Sequence, residues 1–192
     1  MDPSPGLTLA TLFADFGMIL FALILVLLNG FFVAAEFAMV KLRSTRVEAI
    51  AEKNGWRGHI LRTVHSQLDA YLSACQLGIT LASLGLGWVG EPAFAHILEP
   101  VLSAVGVESA EVVKGVSFFT AFFIISYLHI VVGELAPKSW AIRKPELLSL
   151  WTAVPLYLFY WAMYPAIYLL NASANTILRI AGQGEPGPHH EH

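Results

Sequence analysis

The stretch "FGMILFALILVLLNGFFVAAEFAMV", residues 16–40, decides the fold class of this chain. The hydrocarbon core of a bilayer is about 30 Å thick, and an α-helix needs roughly 20 apolar residues to cross it. The stretch exceeds that length and is interrupted only by Asn29 and Glu36. It therefore predicts a membrane-spanning helix, and the two polar side chains within it are candidates for function.

The composition of the whole chain agrees with a membrane protein. Of its 192 residues, 56% are hydrophobic and only 13% are charged, whereas soluble domains carry about 25% charged residues. The mean hydropathy is +0.64. The small net charge of −3 and the lack of a basic tract argue against a nucleic-acid partner. No nucleophile is paired with a base along the chain, so we do not expect an enzyme.

Further apolar runs predict two more spans. We expect the second span at residues 70–89 and the third at 115–132. Between them, residues 90–114 contain four glutamates and two prolines, which is typical of a connector outside the membrane.

The remaining segments predict helices at the membrane surface. Residues 41–69 are polar with apolar side chains at near-helical spacing, so they predict a cytosolic helix or an interfacial hairpin with a turn in "KNGWRG". The apolar segment 147–170 contains Pro155, Pro165 and many aromatic residues. Tyr and Trp prefer the headgroup region, so a kinked interfacial helix or re-entrant hairpin is favoured over a fourth span.

The basic residues predict the orientation. All of the 11 Lys and Arg residues except Lys114 follow the first span, follow the third span or lie near the C-terminus. Cytosolic flanks are enriched in such residues, so the N-terminus is expected outside the cell. The predicted fold is an all-α integral membrane protein with three transmembrane helices and a kinked interfacial, juxtamembrane segment. Its parts are an extracytosolic N-terminus (1–15), the transmembrane domain (16–182) and a tail of linker or tag-like composition (183–192).

Each predicted span carries polar side chains along one helical face. A single Ser or Thr in a membrane helix often bonds its own backbone, a histidine often only packs, and a glutamate near a span's end can simply reach the interface. Three stripes together favour a common hydrophilic cavity instead. The stripes consist of Asn29 and Glu36 in the first span, Ser73, Gln76, Thr80 and Ser83 in the second, and Ser126, His129 and Gly133 in the third.

The motif "VVGELAPKSW", residues 131–140, adds a candidate cation site. Pro137 cannot donate a hydrogen bond to the carbonyl of Gly133, so the sequence predicts a freed oxygen beside the carboxylate of Glu134. Broken membrane helices of this kind bind ions in transporters. One carboxylate with carbonyl, amide and hydroxyl oxygens suits a hard cation such as Mg²⁺. No Cys and His cluster suggests zinc or copper.

Three stretches resemble the transmembrane domain of the cyclin M (CNNM) and CorC family. They are "LLNGFFVAAEFAMVKLRSTRVEAI", "YLSACQLGITLASLGLG" and "GELAPKSWAIRKPE". The resemblance implies a multi-pass homodimer of the inner (plasma) membrane that exports divalent cations, chiefly Mg²⁺, with Na⁺ as the candidate coupling ion. It also implies cytosolic CBS-pair and CorC-C domains, which this chain does not contain.

The resemblance also implies roles for individual residues. It marks Glu134 as the cation-binding carboxylate, with Gly133 and Pro137 shaping the break, and it points to the polar residues of spans one and two. Lys138 is expected to keep Glu134 ionised and to close the mouth of the cavity. Many relatives carry serines where this chain has Val33 and Ala35. Two alternatives therefore stay open: export of a polyamine through the same cavity, and a non-transporting sensor or regulatory scaffold.

Overall fold

A computed structural model describes residues 9–104, 106 and 109–181 of the chain, and these residues are almost entirely helical. The predicted N-terminal part and the tail at 183–192 lie partly or wholly outside the described residues. Within them the helices are α1 (Leu9–Lys41), α2 (Ser44–Lys53), α3 (Gly55–Ser66), α4 (Leu68–Ala104), α5 (Ala110–Leu128), a π segment (His129–Leu135), α6 (Ala136–Arg143), α7 (Pro145–Ala162) and α8 (Tyr164–Ile180).

Three stretches of described helix are long and apolar enough to cross a membrane. They are Phe16–Lys41 in α1, Leu68–Leu102 in α4, and Ala110–Arg143, which combines α5, the π segment and α6. The prediction of an all-α membrane protein is therefore confirmed, with three helices that can span a membrane, or four if the bent pair Pro145–Ala162 and Tyr164–Ile180 is counted as one span. We refer to these stretches as the first, second and third spans.

Two predicted boundaries are wrong, because helices continue where breaks were expected. The supposed connector at 90–114 is helical in most of its described part, since α4 runs on to Ala104. Ala93 and Ala95 remain buried along that extension, so packing maintains the helix despite the polar composition. The third span likewise does not end at 132. Pro137 is accommodated in the first turn of α6, directly after the π segment, and the helix reaches Arg143.

The helices α2 and α3 form the hairpin expected after the first span. Asn54 separates them, and Gly55 has a φ of +52°, a left-handed conformation that glycine adopts without strain. A Cβ on Gly58 would lie 2.5 Å from the Cα of Ala51, so the two helices touch through their backbones. The predicted turn in "KNGWRG" is therefore confirmed.

The fourth apolar segment has the predicted kink. Helices α7 and α8 meet at 78°, and Met163 separates them. Of the two prolines, Pro155 lies inside α7 and Pro165 lies in the first turn of α8. A proline in the first turn loses no helical hydrogen bond, which explains why the new helix begins there.

The main hydrophobic core lies between α1, α3, α4 and α7, and residues of α2 and α8 complete it. Its centre is aromatic: the Tyr71 ring lies 4.5 Å from Tyr160, and the Phe32 ring lies 4.7 Å from Phe159, measured between ring centroids. Gly78 of α4 makes room for Phe32, because a Cβ at that position would lie 2.5 Å from the ring. This core fixes the first span at the centre of the bundle.

Candidate functional site

The amide of Asn29 joins all three spans at membrane depth. Its side chain is only 1% exposed. The Nδ2 atom donates a hydrogen bond to the carbonyl oxygen of Gly133 at 2.9 Å, and Oδ1 accepts one from the hydroxyl of Ser83 at 3.2 Å. Nε2 of His129 lies 3.5 Å from the same Nδ2. We call these four residues the Asn29 junction. They are members of the three predicted stripes, one or two from each span.

The junction depends on a close approach between α1 and the π segment. A Cβ on Gly30 would lie 3.0 Å from Cγ of Pro137 and 3.2 Å from the carbonyl oxygen of Val132. A Cβ on Gly133 would lie 3.3 Å from Nδ2 of Asn29. Two glycines thus allow the backbones to touch. Sequence reasoning identified Gly133 but missed Gly30, although a glycine inside an apolar span is itself a signal of close helix packing.

The π segment explains how Pro137 is tolerated. The N–H of Ala136 bonds to the carbonyl of Val131, five residues back, instead of four as in an α-helix. Such wide turns are frequent at functional sites. The carbonyl of Gly133 accepts its hydrogen bond from a side chain of another span, as a freed oxygen can. The break that the sequence suggested is therefore a change of helix type.

A second group of polar residues lies about 10 Å from Asn29 along α1, because Glu36 follows Asn29 by seven residues and each residue of an α-helix adds about 1.5 Å. The carboxyl group of Glu36 is within hydrogen-bonding reach of Gln76 and interacts electrostatically with Lys138. The Nζ atom of Lys138 lies 4.5 Å from the centroid of the Phe37 ring. We call Glu36, Gln76 and Lys138 the Glu36 layer. It connects the same three spans as the junction, but two of its three side chains, Glu36 and Lys138, are ionisable.

Glu134 stands apart from both groups. It follows Gly133 directly in the chain, and its side chain is exposed. Among the described residues its carboxylate makes no hydrogen bond and no ion pair. Lys138 interacts electrostatically with Glu36, a partner that the sequence did not predict, and its pairing with Glu134 stays a prediction.

The stripe of the second span is divided between two uses. Gln76 and Ser83 reach the Glu36 layer and the Asn29 junction. The hydroxyl of Ser73 instead donates to the carbonyl of Asp69 at 3.1 Å, and that of Thr80 to the carbonyl of Gln76 at 2.8 Å. These two residues show the local backbone bonding that is common for Ser and Thr in membrane helices.

An open cavity of about 380 Å³ adjoins the Asn29 junction between α4 and α5. Its polar lining comes from Ser83, Ser126 and His129. The remaining lining is apolar and consists of Leu86, Gly87, Phe118, Phe122, Ile125 and Ile130. The cavity therefore gives the junction a route to the outside of the bundle.

The oxygen atoms near the junction are mostly uncharged. Within the part of the chain that the structure describes, no three His, Cys, Asp or Glu side chains converge as a metal cage. Val33 and Ala35, the two apolar residues that stand in place of serines, are buried. A cation held here would have the carbonyl of Gly133, the amide and hydroxyl oxygens of Asn29 and Ser83, and the carboxylate of Glu134 as candidate ligands.

Comparison with known proteins identifies a family and several relatives of this chain. Residues 20–192 match the model of the cyclin M transmembrane N-terminal domain. Among curated proteins of Bacillus subtilis, the UPF0053 protein YrkA is 46% identical over 176 residues, which are 91% of this chain and 39% of that protein. YugS, also a UPF0053 protein, is 45% identical over 159 residues, or 83% of this chain and 37% of its own length. The chain thus spans little more than a third of these relatives.

Proposed function

This chain belongs to the cyclin M transmembrane domain family, and on that basis we propose that it binds a divalent cation, Mg²⁺ in the first place, and exports it across the plasma membrane. The proposed site combines the Asn29 junction with the carboxylate of Glu134. Na⁺ is the proposed coupling ion.

The observation that carries the proposal is the convergence of oxygen atoms from three spans on Asn29. The carbonyl of Gly133 lies 2.9 Å from the amide nitrogen, and the hydroxyl of Ser83 lies 3.2 Å from the amide oxygen. A carbonyl oxygen has two lone pairs, so Gly133 can accept the hydrogen bond and still face a cation. Polar groups at this depth are costly unless they serve packing or function.

The chemistry of these groups favours Mg²⁺ over softer metals. Mg²⁺ keeps several of its waters and needs only one or two carboxylates, and neutral oxygens can hold the waters in place. Glu134 supplies one carboxylate next to the Gly133 carbonyl. In the described structure that carboxylate is uncommitted, so a cation does not have to displace a partner to bind it.

The Glu36 layer has a separate role in the proposal. Lys138 places a fixed positive charge beside Glu36, about two helical turns from the junction. An arriving cation meets that charge on the side of the junction opposite the cavity, so the layer acts as a barrier there. The proposal also includes a homodimer, with cytosolic CBS-pair domains in the full-length protein. The third span exposes a large apolar face, which a second subunit would cover in the proposed homodimer.

The decisive experiment measures thermal stability of the purified protein with Mg²⁺, Mn²⁺, Na⁺ and spermidine. A ligand that binds only the folded state stabilises it by about 2.7 kcal/mol at one hundred times its Kd. We expect Mg²⁺ to stabilise the wild type and Glu134→Gln to lose this effect. Glu111→Gln is the matched control, because it removes a carboxylate from the opposite end of the same span.

Other outcomes would redirect the proposal. If Glu134→Gln keeps the full Mg²⁺ effect, the site is elsewhere. Stabilisation by spermidine, with Mg²⁺ as its competitor, would support the polyamine alternative. Binding of Mg²⁺ without flux in vesicles reconstituted with the full-length protein would support a sensor or scaffold.

A further inference from the structure

The hairpin of α2 and α3 contains three arginines with different partners. Arg46 forms an ion pair with Glu146 of α7 at 2.6 Å, and Arg62 forms one with Glu48. Arg57 forms no ion pair with any residue that the structure describes. The positive charges of Arg46 and Arg62 are therefore balanced within the protein, whereas that of Arg57 is not.

Arg57 is held between two tryptophan rings. Its guanidinium carbon lies 5.6 Å from the centroid of Trp56 and 5.4 Å from that of Trp151 in α7. Both distances are within the range of cation–π contacts. These contacts use the charge and the flat face of the guanidinium, and its five N–H donors lie in the plane and stay available for an anion.

The two tryptophans are themselves unusual for an exposed surface. Trp56 is 62% exposed and Trp151 is 61% exposed. Both have basic neighbours in sequence, since Trp56 lies between Lys53 and Arg57, and Trp151 lies in α7, which follows Arg143 and Lys144. Tryptophan side chains with neighbouring basic residues are typical of the headgroup region of a membrane.

We propose that Arg57, Trp56 and Trp151 bind the phosphate headgroup of an anionic phospholipid of the surrounding bilayer. The unbalanced guanidinium attracts the phosphodiester, and the two rings pack against the glycerol and upper acyl chain. A soluble phosphate would satisfy the charge but leave both rings in water, so the lipid fits the whole site. The site is independent of the proposed cation site.

The test measures lipid binding to the detergent-purified protein by native mass spectrometry. Phosphatidylglycerol is titrated against phosphatidylcholine, and the Kd of the first bound lipid is compared between variants. We expect wild type to prefer phosphatidylglycerol, and Arg57→Gln to weaken that binding about fivefold, the effect of one basic residue at an anionic surface. Arg43→Gln, an exposed arginine of the same flank without a cation–π contact to either ring, is the matched control and should weaken this binding clearly less than Arg57→Gln does.

Two further variants separate charge from geometry. Arg57→Lys keeps the charge but loses the planar group, so it should bind with intermediate strength. Trp151→Leu should weaken phosphatidylglycerol binding while leaving the net charge unchanged. Unaltered helicity by circular dichroism verifies folding, since all three side chains are exposed.

Three results would overturn the proposal. Equal weakening by Arg57→Gln and Arg43→Gln would indicate diffuse attraction by the whole basic flank. A wild type without preference for phosphatidylglycerol would exclude a headgroup site. Displacement of the lipid by inorganic phosphate in the same buffer would assign the site to a soluble anion.

Discussion

The first and third spans have similar apolar sequences but very different surroundings. In the most apolar window of the first span, 50% of the residues are buried within the protein, whereas in that of the third span only 11% are. The first span contacts α4, α6, α7 and the π segment. The third span touches its neighbours along one narrow face and presents rings such as Phe119 and Phe123 outward.

The difference shows that hydropathy identifies a span but not its place in the bundle. In a membrane an apolar residue is tolerated equally against lipid and against protein, so the association of helices depends on small residues and polar contacts. The third span is joined to the first through Gly30, Gly133 and the amide of Asn29. Apolar packing also joins the two spans, since Ile125 clusters with Ala22 and Ala141 clusters with Ala38. The small residues and the amide, together with these clusters, therefore determine where the third span packs.

The largest effect is expected from truncating matched phenylalanines on the two spans. Phe32→Ala removes a ring that is 6% exposed and packs against Phe159, and should cost about 3 kcal/mol of unfolding free energy. Phe123→Ala removes a ring that is 69% exposed and should change it by less than about 0.5 kcal/mol. Unfolding in mixed detergent micelles measures both.

A large loss of unfolding free energy for Phe123→Ala would contradict this difference between the two spans. It would mean that the outward face of the third span is covered by a second subunit. Light scattering of the same variant would then show a shift from dimer to monomer.

An intermediate effect is expected at the contact between the two spans. Gly30→Val places a side chain against the ring of Pro137 and the carbonyl of Val132, and overpacking of this kind costs about 1–3 kcal/mol. Gly17→Val lies in the same helix with nothing within 4 Å of the new Cβ, so it should leave the melting temperature almost unchanged. If both variants melt alike, the close approach does not hold the spans together.

The smallest effect is expected for the charged contact between the spans. A double-mutant cycle with Glu36→Gln and Lys138→Gln should give a coupling energy of about 0.5–1 kcal/mol, because both groups are only half-buried. The cycle for Arg46 and Glu146, an exposed pair, should give less. A coupling of zero for Glu36 and Lys138 would remove the barrier proposed for the Glu36 layer.

Much of the fold followed from the sequence because apolar length and proline placement are local signals. The three spans, the hairpin turn and the kink before Pro165 were all visible in this way. The continuation of α4 past residue 89 was not, because the polar residues there indicated a connector while buried alanines maintain the helix. The π segment before Pro137 was also not predicted, because no local signal in the sequence distinguishes a broken helix from a π segment.

The candidate site was predictable as a set of residues but not as an arrangement. Helical spacing placed Asn29, Ser83 and His129 on inward faces, and the structure brings them together. Spacing within one helix does not reveal which residues of a neighbouring helix lie at the same level in the bundle. For that reason the sequence paired Lys138 with Glu134, four residues away, and did not predict its interaction with Glu36 in another span.

The π segment has a consequence for the rotation of the third span. The buried residues between 110 and 143 recur at multiples of four: Val113, Ser117, Ala121, Ile125, Gly133 and Ala141. In an α-helix each four-residue step turns the contact face by about 40°, and the wider turns of the π segment counteract this drift. If the same residues adopted α-helical bonding, everything beyond them would rotate by about one residue, or about 100°. Lys138 would then swing away from Glu36, so a local change of helix type would act on the charged layer as a rotary switch.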